Sequence, residues 1–441
     1  LGIGLIGTYV ALLADVKISS EIFIKLIVFL GIGEEKEELV LWIGYALVAI
    51  FLVKTVFSIW INKIIVKFSA SQHVRLSSFL MTSYQSLSYA NYIKRNSAEY
   101  VYSIHHLSSQ YANHVLSPLL RMVSDGFLVF GVIVFLALQN PLGLGLLVIF
   151  LAVMMVFYDT LFRKKMAYYG EQCNLASEAI LKAVSESIEG LKEIRILGKE
   201  LYFHQNVMRD SHRLSFFAIK STVVQVSLRY LLELTMITFI VALVLSTLFL
   251  GNSIDLILPT LSVFGVASLR LFPTVNTFMQ GLTQLRYGKD SVLRLFNDVN
   301  DMKRAGRGSS DNLGKVGEYE EFQNLTLKEV SFFYPESKSN AIKDISLQIQ
   351  AGESIGFIGV SGSGKTTLLD TLLGLFMPQE GSIEYNGRIL NNHLSEWQAQ
   401  VAYIPQQVFL IDDSLRCNVA LGIGENEIDD IKLHESLRQA R

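Results

Sequence analysis

The chain has 441 residues, 51% hydrophobic and only 18% charged, against roughly 25% charged in a typical soluble domain. A formal net charge of −2 gives no footing to a polyanion, so nucleic acid is not an expected partner. The two cysteines, Cys173 and Cys417, stand far apart and alone, which argues against a thiolate metal site and leaves two ordinary thiols.

The apolar excess falls almost wholly before residue 275. The chain opens on an apolar run, Leu1 to Ala14, too short to cross a bilayer, and the expectation is a helix whose first turns are missing. A cleaved signal peptide is the rival, but no basic region precedes the run. Residues 19–31, SSEIFIKLIVFLG, are expected as a short external helix that lies in the interface or packs on a bundle. Five further stretches, 39–61, 120–138, 142–162, 230–250 and 254–273, match the ~20 residues that a bilayer requires. With the incomplete first run, the sequence predicts six spans.

Loop charges orient them. Residues 62–121 carry Lys63, Lys67, Arg75, Lys94, Arg95 and Arg121, and residues 163–229 open on Arg163-Lys164-Lys165. Gln139-Asn140-Pro141 and Gly251-Asn252-Ser253 hold no Lys or Arg, so the long loops are assigned to the cytosol. From Lys63 to about Ser117 and from Arg163 to Arg229 the chain reads as continuous helix prolonging the spans. His105 and His106 are expected on the surface of that helix, without a third metal ligand. Arg229 and Arg270 fall in the inner half of the membrane, where charge is costly and seldom accidental. They could grip a pyrophosphate together; alternatively Arg229 pairs with Glu233 one turn on, while Arg270 snorkels to the headgroups.

Residues 301–320 are polar and Gly/Ser-rich and read as a linker. Strand-like runs at 325–333 and 342–349 follow, then Ser354-Ile355-Gly356-Phe357-Ile358, then GVSGSGKT at 359–366, then a helix-like run from Thr367 to Leu373. The octet is a full G-x-x-x-x-G-K-[ST] loop in its strand–loop–helix setting. Gly359, Val360, Ser361, Gly362, Ser363 and Gly364 are expected to present backbone N–H groups to a phosphate chain, together with Thr367 at the helix start. Lys365 is expected to reach the outer phosphates, and the Thr366 hydroxyl to ligate Mg²⁺. The sequence therefore predicts ATP and Mg²⁺ as ligands.

VSFFYP at 330–335, Ile342-Lys343-Asp344-Ile345-Ser346-Leu347, Ala351-Gly352-Glu353 and VAYIPQQVFLIDDSLRCNV at 401–419 resemble the nucleotide-binding domain of ABC transporters. Six spans with long cytosolic extensions ahead of such a domain resemble the exporter type. The resemblance implies that Tyr334 stacks on adenine and that Gln406 reaches Mg²⁺ and the attacking water. It implies an α-helical six-span transmembrane bundle over residues 1–300, a linker over 301–320, and a partial α/β P-loop nucleotide-binding domain over 321–441. No signature segment, acidic motif with its catalytic Glu, or switch histidine is found, so no catalytic residue is assigned within these residues. Val408-Phe409-Leu410-Ile411-Asp412 imitates the acidic strand but follows directly on Gln406, and is set aside.

Leu258–Val263, Phe264, Leu269–Asn276 and Arg229-Tyr230-Leu231-Leu232-Glu233 resemble lipid-linked oligosaccharide flippases. That implies an ATPase-coupled half-transporter acting as a homodimer in a bacterial inner membrane, with its nucleotide domain cytosolic and Arg229 and Arg270 on the substrate path. A peptide or hydrophobic drug exporter is the alternative within transport, and an ATP-binding signalling or channel-like membrane protein the alternative outside it. Asn96–Tyr100 and Gly198–Phe203 resemble the coupling turns of exporters, whose aromatic groups would dock on the nucleotide domain.

Overall fold

Runs of Leu, Ile, Val and Phe that must cross lipid have to satisfy every backbone polar group internally, and an α-helix does so within one segment. The computed structural model describes residues 36–139, 141–249, 257–305, 320–334, 337, 339–406 and 408–440, and over 257–270 it describes the backbone alone. Two compact units emerge, residues 1–308 and 309–441.

The first unit is helical throughout its described part. Helix α1 (Lys36–Gln85) is 50 residues long, about 75 Å at 1.5 Å per residue. A one-turn helix α2 (Tyr89–Tyr92) and α3 (Ser97–Val101) follow, α3 capped by the Asn96 side chain accepting from the Ala98 N–H at 2.9 Å. From α3 the chain runs on through π-helical segments Tyr102–Leu107 and Tyr111–Leu116 into α4 (Ser117–Gln139). Pro141, with its preset φ, opens α5 (Pro141–Glu189). Then come α6 (Leu191–Leu197), α7 (Glu200–Phe249), α8 (Ile257–Tyr287) and α9 (Lys289–Ala305).

Four helices among the described residues are long and apolar enough to cross a membrane: Val40–Gln85, Ser97–Leu138, Leu144–Glu189 and Glu200–Ala242. They overlap the stretches expected at 39–61, 120–138, 142–162 and 230–250, and contain the second of these whole. Of the fifth stretch, 254–273, residues 257–273 lie in α8. Leu1–Ala14 and 19–31 lie outside the described residues and 254–273 is described only in part, so four candidate spans are found among the described residues where the sequence predicts six.

The extensions expected over 63–117 and 163–229 are not continuous helices. The first breaks between Gln85 and Ser97 around α2, and the second at Gly190, where α6 is set off. Gly198 ends α6 with φ 61°; its N–H bonds the Arg195 carbonyl and the Lys199 N–H bonds that of Ile194, a Schellman cap that only a residue tolerant of positive φ closes cheaply. The two turns therefore sit at 86–96 and 190–199, each earlier than the sequence placed it.

Packing ties these helices together at three levels. Met154, Tyr158 and Met166 of α5 bury against Val224, Leu228 and Leu232 of α7 and Phe272, Val275 and Met279 of α8. Val132, Leu136, Leu147, Phe239 and Leu271 form a second layer, and Leu80, Tyr84, Tyr100, Tyr102, Leu107 and Leu295 a third. Tyr100 is thus inside this unit, stacked on Tyr92 at 5.0 Å, and does not present its ring for docking as expected. His105 is exposed as expected, but His106 is half-buried, stacked on Tyr102 at 4.8 Å and bonded to Gln110. Beside the third layer, the buried Asp298 carboxylate of α9 accepts from Tyr84 Oη and Arg95, both at 2.7 Å, and from Ser103 Oγ at 3.1 Å.

In the second unit, β1 (Asn324–Phe332), β2 (Ile342–Gln350), β3 (Glu380–Tyr385) and β4 (Arg388–Ile389) form an antiparallel sheet in the order β2-β1-β3-β4. β1 is central, with Leu327 facing Leu347 on one side and Ile383 on the other. Its buried Leu325, Leu327, Val330 and Phe332 make the core with Ile383, Tyr385 and Phe376. The strand expected at Ser354–Ile358 does not form: 353–360 is irregular and Ile358 is 99% exposed. A strand needs a ladder partner as well as apolar residues, and none of β1–β4 pairs with this run.

Candidate functional site

The loop from Gly359 to Thr366 leads into helix α10 (Lys365–Leu372). The Ser363 N–H closes a turn onto the Val360 carbonyl at 3.2 Å. Gly362 (φ 82°) and Gly364 (φ 88°) hold the left-handed backbone that the loop needs and that side chains resist. At Gly364 there is a second reason for glycine, since a Cβ would strike the Ala341 carbonyl and crowd Ile342. The start of β2 is thereby pressed directly against the loop.

Lys365 folds back over this turn. Its Nζ donates to the carbonyls of Gly359 at 2.9 Å and Val360 at 2.8 Å, and approaches Ser363 Oγ at 3.4 Å. One concentrated positive charge thus sits at the mouth of a loop followed by a helix N-terminus, where orphan N–H groups and the helix dipole favour an anion. Thr366 is exposed and its hydroxyl makes no hydrogen bond among the described residues, whereas Thr367 and Thr371 are buried in the body of α10. An exposed hydroxyl beside a phosphate cradle is the donor that a hard cation such as Mg²⁺ accepts, so the residues present fit that ion. Burial holds the Asp370 carboxyl above the usual carboxylate range.

Tyr334 lies against the same helix, its hydroxyl 3.1 Å from Thr367 Oγ1. Phe332 and Phe376, stacked on one another at 4.7 Å, meet the Tyr334 ring edge-on at 5.3 and 5.5 Å. Phe376, the buttress of this arrangement, had no local signal in the sequence; Phe332 stood inside VSFFYP and its packing role was open to inference. Gln406 is exposed, and no hydrogen bond joins it to the loop. Val408–Asp412 is irregular and largely exposed.

Elsewhere, Arg229 donates to Glu233 at 3.1 Å and is 72% exposed. Of Arg270 only the backbone, in α8, is described. Cys173 and Cys417 are both free thiols.

Residues 342–440, which span β2, the loop and α10, match the family model described as ABC transporter. The chain carries an ABC transporter domain. Over 417 residues it is 27% identical to an ATP-dependent lipid A-core flippase of Alkalilimnicola ehrlichii, covering 87% of this chain and 64% of that protein. An uncharacterized ABC transporter ATP-binding protein of Bacillus subtilis is 26% identical over 70% of this chain and 52% of its own length. The chain therefore spans between half and two thirds of these relatives. Among solved structures, a bacterial Atm1-family ABC exporter with ATP bound superposes with a TM-score of 0.75 at 17% identity, covering 93% of this chain and 71% of that one. The ABC transporter domain thus follows helices arranged in an exporter fold.

Proposed function

We propose that the chain joins a membrane unit to nucleotide-binding residues in an ATP-driven half-transporter that moves a lipid-linked saccharide or related lipid across a bacterial inner membrane. The observation that carries this reading is the Gly359–Thr366 cradle, its lysine in place, in a chain whose other unit holds four membrane-length apolar helices. Relatives that carry the name lipid A-core flippase support the lipid as cargo. Residues 1–300, 301–320 and 321–441 are then membrane domain, linker and cytosolic nucleotide-binding domain. Two copies pair, because one cradle with one bundle is half a transporter.

Lys365 leaves its loop carbonyls for the β- and γ-phosphates, the loop N–H groups hold the chain, and Tyr334 supports adenine. Thr366 and Gln406 would hold Mg²⁺, which when bound would offset the negative charge of the phosphates. Binding of ATP favours one arrangement of the bundle over another through differential affinity. One observation favours a second cargo class, a peptide or hydrophobic drug: Arg229 already has Glu233 as a partner.

Lys365→Ala in the full-length protein is expected to abolish binding in a fluorescent-nucleotide titration, since no other described cation sits on the loop. Retained wild-type affinity contradicts the assignment of the cradle.

A further inference from the structure

Helices α5 and α7 meet along a seam that sets positive charge beside positive charge. They run antiparallel: Tyr158 Oη donates to the Val224 carbonyl at 2.8 Å, Tyr168 meets Phe217 edge-on at 5.7 Å, and Arg213 donates to Gln172. Between the first two of these pairs lie Lys164 and Lys165 on α5 and Lys220 on α7. Residues three and four apart share a helix face. Lys164 and Lys165 therefore fall on the Tyr168–Gln172 stripe, and Lys220 on the Arg213–Phe217 stripe. Lysines of both helices converge one turn beyond the Tyr168–Phe217 contact.

All three are exposed, and none pairs with a carboxylate among the described residues. The ammonium groups rest on rings instead: Lys165 Nζ lies 5.7 Å from the Phe162 centroid and Lys220 Nζ 4.0 Å from that of Phe216. Nearby carboxylates are engaged elsewhere, Asp159 with Arg286, Asp210 with Arg209 and Glu233 with Arg229. Glu171 follows Lys164 on the same helix by about 10 Å of axial rise. Like charges gathered this way repel unless an anion lies among them.

The position names the anion. The cluster begins where the apolar run 142–162 ends, and the exposed Leu161, Ile219 and Val223 flank it. At the end of a membrane span, the anions at hand are phospholipid phosphates, which attract juxtamembrane Lys and Arg. The geometry points to a docking site for an anionic phospholipid of the surrounding leaflet, its phosphate among Lys164, Lys165 and Lys220 and its acyl chains along the flanking aliphatic surface. This lipid is a resident rather than the cargo. The site rests only on the membrane placement of α5 and α7 and is independent of what the protein transports.

The test is native mass spectrometry of the full-length protein released from nanodiscs of phosphatidylcholine with graded phosphatidylglycerol. Successful assembly into nanodiscs reports separately on the membrane placement. The wild type is expected to retain phosphatidylglycerol selectively, more weakly at high salt. A triple variant, Lys164→Gln, Lys165→Gln and Lys220→Gln, is expected to lose about fivefold in affinity per lysine. The triple Lys→Arg variant should retain binding, and a Lys63→Gln, Lys67→Gln variant on α1 should match the wild type. Inorganic phosphate should not compete at millimolar concentration. Equal retention by the wild type and the Gln variant overturns the site. So does an equal loss in the Lys63, Lys67 variant, which would reduce the effect to net charge. If the Gln variant fails to assemble, the Arg variant decides alone: loss of selectivity at full charge overturns the proposal, and its persistence supports it.

Discussion

At the scale of single residues, Gly362 and Gly364 share a left-handed backbone but differ in surroundings. A Cβ at Gly362 meets open space, while at Gly364 it strikes the Ala341 carbonyl. Gly362→Ala should therefore cost about 1–2 kcal/mol, the strain of a non-glycine residue at positive φ. Gly364→Ala adds a backbone clash and should cost clearly more, displacing the start of β2. Denaturant titration of the second unit's unfolding in both variants checks the order; equal losses would show that the Ala341 approach is relaxed in solution. Asp298 poses a similar question in the first unit. Removing its carboxylate in Asp298→Ala leaves Tyr84 and Ser103 without an acceptor and Arg95 without its stronger partner, a loss of about 2–4 kcal/mol. Asp298→Asn should lose less, and thermal melts of the purified protein compare the two. Nothing in the sequence marked Asp298, because Tyr84, Arg95 and Ser103 lie about two hundred residues away and form no local pattern.

At the scale of elements, the π-helical stretch between Tyr102 and Leu116 places His106 and His114 in half-buried settings. His106 faces Tyr102, Gln110 and the charges of His105 and His114, and His114 faces Tyr287. Burial, with neighbouring histidines added for His106, lowers both below the ordinary value near 6.5. A folded value below the unfolded one gives stability that is present above pH 6.5 and lost as pH falls through the folded values. The melting temperature should therefore drop on acidification below pH 6.5, and less steeply in His106→Gln. A pH-independent melting temperature in the wild type would contradict the burial. The helix caps show why the two turns between long helices were misplaced. Asn96 and Gly198 are sound local signals, an N-cap and a C-cap, but each marks the far end of a turn whose body, α2 or α6, precedes it. Tyr100 looked available for docking because a ring's burial depends on Tyr84 and Tyr92, which periodicity does not bring into view.

At the scale of the molecule, the turn of the loop was legible because its eight residues are contiguous and its glycines answer a local demand, positive φ at Gly362 and Gly364. The long apolar helices were legible because span length is a composition signal. The strand at Ser354–Ile358 was misjudged because its existence depends on a ladder partner that the run itself does not specify. The exporter reading joins the two legible parts and is tested most directly in proteoliposomes holding the full-length protein and a fluorescent lipid-linked saccharide. The account predicts ATP-dependent transfer of the lipid between leaflets, hydrolysis that rises when the lipid is added, and loss of both in Lys365→Ala. Transfer that persists undiminished in Lys365→Ala, or wild-type hydrolysis with no transfer of any lipid, peptide or apolar solute, would contradict it.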